Sequence, residues 1–229
     1  MKKYGLVLVV SAAVAISLVG GWLAVAPRLD KWAALKAQSR LLDSIVSADG
    51  TMTLRPVEEH LDFYNDTFGT EEDLYPPNPS LVSQPDDANI DPSHPSLMIG
   101  MGILSIDKID LKLPVVRGVS KRKLKIALGW VPQTAEIGAV GNAVIAGHRS
   151  YTYGQYFNRL NELEVGDIIT YQPKDGARIS FEVYDIFTVT PGDQSVFVQA
   201  DEIAEITLYT CTPVKVASYR LIIRAKRID

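Results

Sequence analysis

The sequence predicts a mainly β domain, a closed or nearly closed barrel with short helices, over residues 98–229 of a 229-residue chain. Two observations carry that expectation. First, apolar strand-like runs follow one another from Leu97 onward: Ile99–Ile106, Leu113–Val116, Ala143–Ala146, Asp167–Tyr171, Arg178–Val189, Glu205–Thr210 and Tyr219–Ala225. Turn-forming residues separate them, among them Gly118, Gly138, Gly141, Gly166-Asp167, Lys174-Asp175-Gly176, Pro191-Gly192-Asp193 and Thr212-Pro213. Second, only Lys121–Leu128 and Tyr156–Leu163 read as short helices. Many short strands with few helical stretches point to a barrel.

The N-terminus reads differently. Tyr4 to Ala26 is 23 residues of apolar and small side chains without a charge, preceded by Lys2 and Lys3. About 20 such residues in a helix cross a bilayer core, and flanking lysines stay on the inner side. Ala24-Val25-Ala26 resembles a signal-peptidase site, but Pro27 would follow the cut and the run exceeds the apolar core of a signal peptide. Residues 1–27 are therefore expected to be an uncleaved, single-pass membrane anchor. The rest of the chain is then extracellular.

Residues 28–97 are expected to be a helical stalk and a proline-rich segment. From Pro27 to about Ser47, Trp32, Leu35, Leu41, Leu42 and Ile45 recur at helical spacing. Asp49-Gly50 breaks that pattern, and Pro56–Phe68 can hold a second short helix. Thr70–Ser96 carries Pro76, Pro77, Pro79, Pro85, Pro92 and Pro95, which exclude a regular helix or central strand. It reads as a linker or as a lid over a cleft, with Leu74, Tyr75, Leu81, Val82 and Ile90 available for docking.

Bulk properties exclude several function classes. A net charge of −4 and a pI near 5.4 lack the basic footprint of nucleic-acid binding. One cysteine cannot make a disulfide framework or a zinc site, and His60, His94 and His148 are too scattered to be a ligand cluster. No cofactor is expected. Asp193, Asp201, Glu202 and Glu205 could bind calcium, but they lack a recognisable loop spacing, and a solvated acidic face is favoured.

The lone cysteine carries the chemistry. Cys211 ends the run Ile206–Cys211, Arg220 lies in the next apolar run, and His148 follows the run Ala143–Ala146. A thiolate nucleophile needs a group to take and return a proton, and acyl transfer needs positive charge or N–H donors at the oxyanion. If the strands flanking Thr212-Pro213 pair, Arg220 returns alongside Cys211. Taken singly, each residue has a plain structural reading: a small buried thiol, a surface arginine, a structural histidine.

Taken together they resemble the sortase family. Thr207-Leu208-x-Thr210-Cys211 followed by Arg220, and Asn142-x-x-x-x-Gly147-His148-Arg149 before it, match that family's site motifs. Leu113-Pro114-Val115-Val116-x-Gly118, Phe157-x-x-Leu160-x-x-Leu163-x-x-Gly166-Asp167 and Tyr219–Ile223 match in the same order, so the resemblance covers about Met98 to Ile228. It implies an eight-stranded sortase β-barrel and a cysteine transpeptidase of the Gram-positive cell surface. Cys211 would be the nucleophile, His148 the general acid/base, Arg220 the stabiliser of substrate and oxyanion, and Thr210 a contributor to the oxyanion site. The partners would be LPxTG-like sorting signals of secreted proteins and an amine from a pilin lysine or a cell-wall peptide. The long segment before the barrel resembles the lid region of class C pilin sortases, although Asp91-Pro92 is followed by Ser93 where those lids often carry an aromatic residue. Class D-type anchoring to peptidoglycan, a hydrolase, and a non-catalytic membrane-held peptide-binding barrel are the competing expectations.

Overall fold

The structure is a computed structural model that describes residues 32, 35–43, 45, 51–53, 97–149, 156–214 and 216–229. Contacts divide the chain into two compact units, Met1–Ala37 and Gln38–Asp229, and all the strands belong to the second. They are β1 (Thr51–Thr53), β2 (Leu97–Ile106), β3 (Leu111–Arg117), β4 (Leu128–Trp130), β5 (Gly141–Ala146), β6 (Ile168–Pro173), β7 (Ile179–Val189), β8 (Ala204–Thr212) and β9 (Tyr219–Arg227). The order is β1-β2-β3-β4-β5-β8-β9-β7-β6, and β6 pairs back onto β2. Strands β2 to β9 thus form an eight-stranded barrel, with β1 added against the start of β2. It is mixed: β3–β4 and β5–β8 are parallel, and the other pairs are antiparallel.

Closure depends on Gly102. There β2 is paired on both sides, with Val115 of β3 and Pro173 of β6. A Cβ on Gly102 would lie 2.4 Å from the Gln172 carbonyl oxygen, so any larger residue would push the closing strand away.

Alternation then sorts the side chains. Leu104, Leu128, Ile145, Phe181, Leu208 and Ile223 belong to the main core cluster, together with Phe157 from the β5–β6 connection. A second cluster contains Val144, Ala146, Tyr209 and Ile222, residues of opposite parity on the same strands, joined by Val119, Leu124, Val131 and Val196. The one-turn helix Lys121–Leu124 and the 3-10 turn Gln194–Phe197 supply part of that outer layer. Strand β8 is buried continuously from Glu205 to Cys211 because both of its faces are covered. Truncating a fully buried residue such as Leu208 to alanine would cost about 2–5 kcal/mol.

The seven predicted strands are present, each within a few residues of its expected bounds. Two strands were not expected. Leu128-Gly129-Trp130 forms β4, because three residues are too few to show periodicity; the predicted helix Lys121–Leu128 stops at Leu124 to make room for it. Thr51–Thr53 forms β1. Of the predicted helix Tyr156–Leu163, only the 3-10 turn Leu160–Glu162 forms.

The predicted stalk helix is helical at residues 35–43. Leu41 and Ile45, four apart on one helical face, are buried, and Gln38 Nε2 donates to the Ile126 carbonyl at 3.3 Å. The expected anchor 1–27, the second short helix and the proline-rich Thr70–Ser96 lie outside the described residues. Among the described residues no helix is long and apolar enough to cross a membrane.

Candidate active site

The barrel's register brings the predicted trio together. Cys211 of β8 and Arg220 of β9 are direct antiparallel partners. Opposed residues of such a pair share a face, with Cβ atoms about 5 Å apart. β5 and β8 run parallel with Ala146 opposite Tyr209, so His148 and Cys211, each two residues further along, lie at the same end of adjacent strands.

The junction of those two strands is locked at Gly147. Its N–H donates to the Tyr209 carbonyl at 3.0 Å, and its carbonyl accepts from the Thr210 hydroxyl at 2.8 Å. A Cβ on Gly147 would sit 2.3 Å from the ring of fully buried Phe157, so only glycine lets the His148 loop pass that close to the core. The buried Thr210 hydroxyl thus ties the cysteine strand to the histidine loop.

His148 is half-buried and held from behind. Its carbonyl accepts from Phe157 N–H at 3.1 Å, and the Tyr156 ring lies 5.6 Å from the imidazole, centroid to centroid. Tyr156 is itself tethered, its hydroxyl donating to the Lys125 carbonyl. Burial, helped by the charge of Lys125, lowers the imidazole pKa to about 4. His148 is therefore neutral at pH 7.

Two guanidinium groups flank Cys211. Arg220 is 3% exposed. Its Nε donates to the Tyr209 hydroxyl at 3.1 Å, and its Nη1 donates to the carbonyls of Ala217 and Tyr219 at 2.8 and 3.1 Å. These three acceptors orient the fork. Ala217 adopts φ 55°, an unusual conformation for alanine, in presenting that carbonyl. Arg149 comes from the histidine loop: Nη1 donates to the Cys211 carbonyl at 3.2 Å and Nη2 to Asn161 Oδ1 at 2.6 Å. Partial burial lowers the Arg149 pKa, an effect that negative charge on Cys211 opposes.

A small apolar recess lies on the Cys211 face of the sheet. Val119, Leu124, Val131, Val144, Ala146, Phe197 and Tyr209 line it. Its lining is almost wholly apolar, so an apolar side chain suits it better than a polar one. Asn142, fully buried in β5, holds its rim: Nδ2 donates to the carbonyls of Val196 and Val198 at 2.9 and 3.1 Å, and Oδ1 accepts from the Thr207 hydroxyl at 2.7 Å.

The sequence reading named Arg149 and Asn142 within a motif but assigned neither a role, and it passed over Tyr209 and Tyr156. For Arg149 the signal was present, since a cation directly after a candidate catalytic histidine must lie near the same site. Of the acidic residues weighed for calcium, Asp193 accepts from Ser195 N–H at 2.9 Å and Glu205 from the Tyr184 hydroxyl at 2.6 Å. Among the described residues no three acidic, histidine or cysteine side chains converge.

A cysteine on a barrel strand, opposite an arginine on the next strand and beside a histidine at the end of the parallel neighbour, is an arrangement that thiol-based acyl transfer can use. The sortase domain family matches residues 104–228, more than half the chain, and the chain belongs to the sortase family. It is 33% identical to sortase SrtE1 of Streptomyces coelicolor over 57% of this chain and 41% of that protein, so it spans less than half the length of that relative. It is 27% identical to sortase A of Bacillus anthracis over 92% of this chain and 90% of that one. Among solved structures, the pilus-related sortase C of Group B Streptococcus superposes with a TM-score of 0.54 at 32% identity, covering 57% of this chain and 68% of the other.

Proposed function

We propose that this protein is a membrane-anchored extracellular sortase that cleaves an LPxTG-like sorting signal and passes the acyl group to an amine. The direct pairing of Cys211 with Arg220, at the strand end beside His148, carries the reading. The peptide lies extended across the face that holds the recess, with an apolar side chain seated there and its threonine carbonyl at Cys211. The Cys211 Sγ attacks that carbonyl while neutral His148 takes the thiol proton. Arg220 faces the oxyanion of the tetrahedral intermediate. Thr210 acts on that site through the strand positions that it holds. Collapse breaks the C–N bond, the leaving amine takes the proton from His148, and a thioester remains. An acceptor amine attacks the thioester carbonyl and its proton passes to His148; collapse breaks the C–S bond to leave a new amide, and His148 returns the proton to Sγ.

Likeness to a pilus-related sortase C favours a pilin lysine as the acceptor, with a cell-wall peptide as the second candidate. The test is mass spectrometry of the full chain with a panel of sorting peptides, followed by addition of triglycine or a pilin domain. The reading expects a Cys211 thioester, blocked by methanethiosulfonate and consumed by the amine. Absence of any acyl-enzyme from a folded chain, across the panel, overturns it; hydrolysis with every amine tried leaves a protease.

A further inference from the structure

Tyr209 belongs to two environments at once. Its ring forms part of the recess wall beside Ala146 and Phe197, while its hydroxyl accepts from Arg220 Nε at 3.1 Å. It precedes Cys211 by two residues on the same face of β8, and it pairs with Ala146 on one side and Ile222 on the other. The side chain therefore stands between the seat for an apolar peptide residue and the guanidinium that faces the thiol.

The acceptors described for Arg220 differ in origin. Ala217 and Tyr219 belong to the β8–β9 turn and the first residue of β9, so their carbonyls move with that turn. Tyr209 is fixed between β5 and β9 within the barrel, on the strand that carries the cysteine. Its hydroxyl therefore ties the guanidinium to the strand that carries Cys211.

We propose that Tyr209 is a positioning and specificity-determining residue: its ring sets the depth of the apolar recess, and its hydroxyl holds Arg220 where the oxyanion forms. The inference rests on the acyl-transfer reading of Cys211, His148 and Arg220. A side chain seated in the recess presses on the group that holds Arg220, so recognition of that residue is transmitted to the oxyanion. Discrimination between peptides differing at the seated position is then expressed in kcat as well as KM.

Tyr209→Phe tests the hydroxyl while keeping the ring. With a sorting peptide and the full chain in detergent, kcat falls about tenfold and KM stays within about twofold. In an Arg220→Ala background the same substitution has no further effect, because the group it positions is gone. A wild-type kcat in Tyr209→Phe, or equal losses in the two backgrounds, overturns the proposal. Tyr209→Leu deepens the recess and shifts kcat/KM toward a peptide with a larger apolar residue at the seated position; an unchanged preference overturns the specificity half.

A second readout needs no substrate. The pH profile of Cys211 alkylation by iodoacetamide, followed by intact mass, moves in the same direction in Tyr209→Phe as in Arg220→Ala. An unmoved profile in Tyr209→Phe beside a displaced one in Arg220→Ala overturns the coupling. A wild-type chain that alkylates yet forms no thioester with any sorting peptide fails the functional reading instead, and the alkylation profiles still decide the role of Tyr209.

Discussion

Arg149 and Cys211 are joined through the main chain: the guanidinium that follows His148 donates to the Cys211 carbonyl, 3.2 Å away. One side chain thereby links the histidine loop, the turn bearing Asn161 and the end of β8. It also places a second positive charge near the thiol. Removing that cation should raise the thiol pKa, since a nearby positive charge favours the thiolate. Arg149→Ala is expected to lower kcat/KM about 10- to 100-fold and to move the Cys211 alkylation profile to higher pH. Arg149→Lys should keep much of the pH effect but lose rate, because an ammonium cannot make both bonds of the fork. An Arg149→Ala variant with wild-type alkylation and turnover would remove this residue from the site.

Arg220 is the harder residue to replace. It is buried, it sits opposite Cys211, and its Nε and Nη1 serve three oxygens on two strands and a turn. Arg220→Ala and Cys211→Ala should both abolish measurable transpeptidation, yet for different reasons. Cys211→Ala removes acylation outright. Arg220→Ala should still allow slow thioester formation, several orders of magnitude below wild type. Arg220→Lys should recover little of that loss, and near-wild-type single-turnover acylation by the lysine variant would contradict the fork geometry described above.

The strands that carry the trio were legible because each is long enough to display an apolar run, and because their turns hold glycine, proline or aspartate. Register made the site. Sequence spacing could place Arg220 on a strand after Cys211, but only the β8–β9 pairing makes them partners. β4 was illegible because Leu128-Gly129-Trp130 offers one full alternation, and its meaning comes from long-range pairs with Val116 and Ala146. Tyr209 was passed over for a related reason. In a strand buried on both faces, alternation no longer tells which aromatic lines the core and which lines a recess.

The histidine sets a pH dependence with a definite sign. Its folded pKa, about 4, lies below the ordinary value of 6.5, so between those values the unfolded chain binds the extra proton. Stability attributable to His148 is therefore full above about pH 6.5 and is lost as pH falls toward 4. The loss is at most about 3 kcal/mol, reduced by the partial exposure of the ring. Thermal melts of wild type and His148→Gln at pH 7 and pH 4.5 separate this contribution from that of other groups. Wild type should lose more Tm than His148→Gln over the interval, and equal losses would show that the imidazole is not buried as a neutral group.

Asn142 offers a way to disturb recognition without touching the chemistry. Its amide bridges β5 to the segment after β7 through the carbonyls of Val196 and Val198, and Phe197 between them lines the recess. The Thr207 hydroxyl completes the network from β8. Asn142→Ala strands buried polar groups at about 1–3 kcal/mol each, so the segment around residues 194–199 should loosen before the barrel does. Amide exchange there should quicken while exchange in β8 and β9 stays slow. Asn142→Asp is harsher, because a carboxylate cannot donate to the two carbonyls and would bury a charge beside them. Cys211, Arg220 and His148 keep their strand positions in both variants. The expected signature is thus a KM raised severalfold or more, with single-turnover acylation at saturating peptide reduced much less. A variant in which kcat collapses while KM holds would mean that this network supports the thiol site itself, and the division of labour between recess and nucleophile would have to be redrawn.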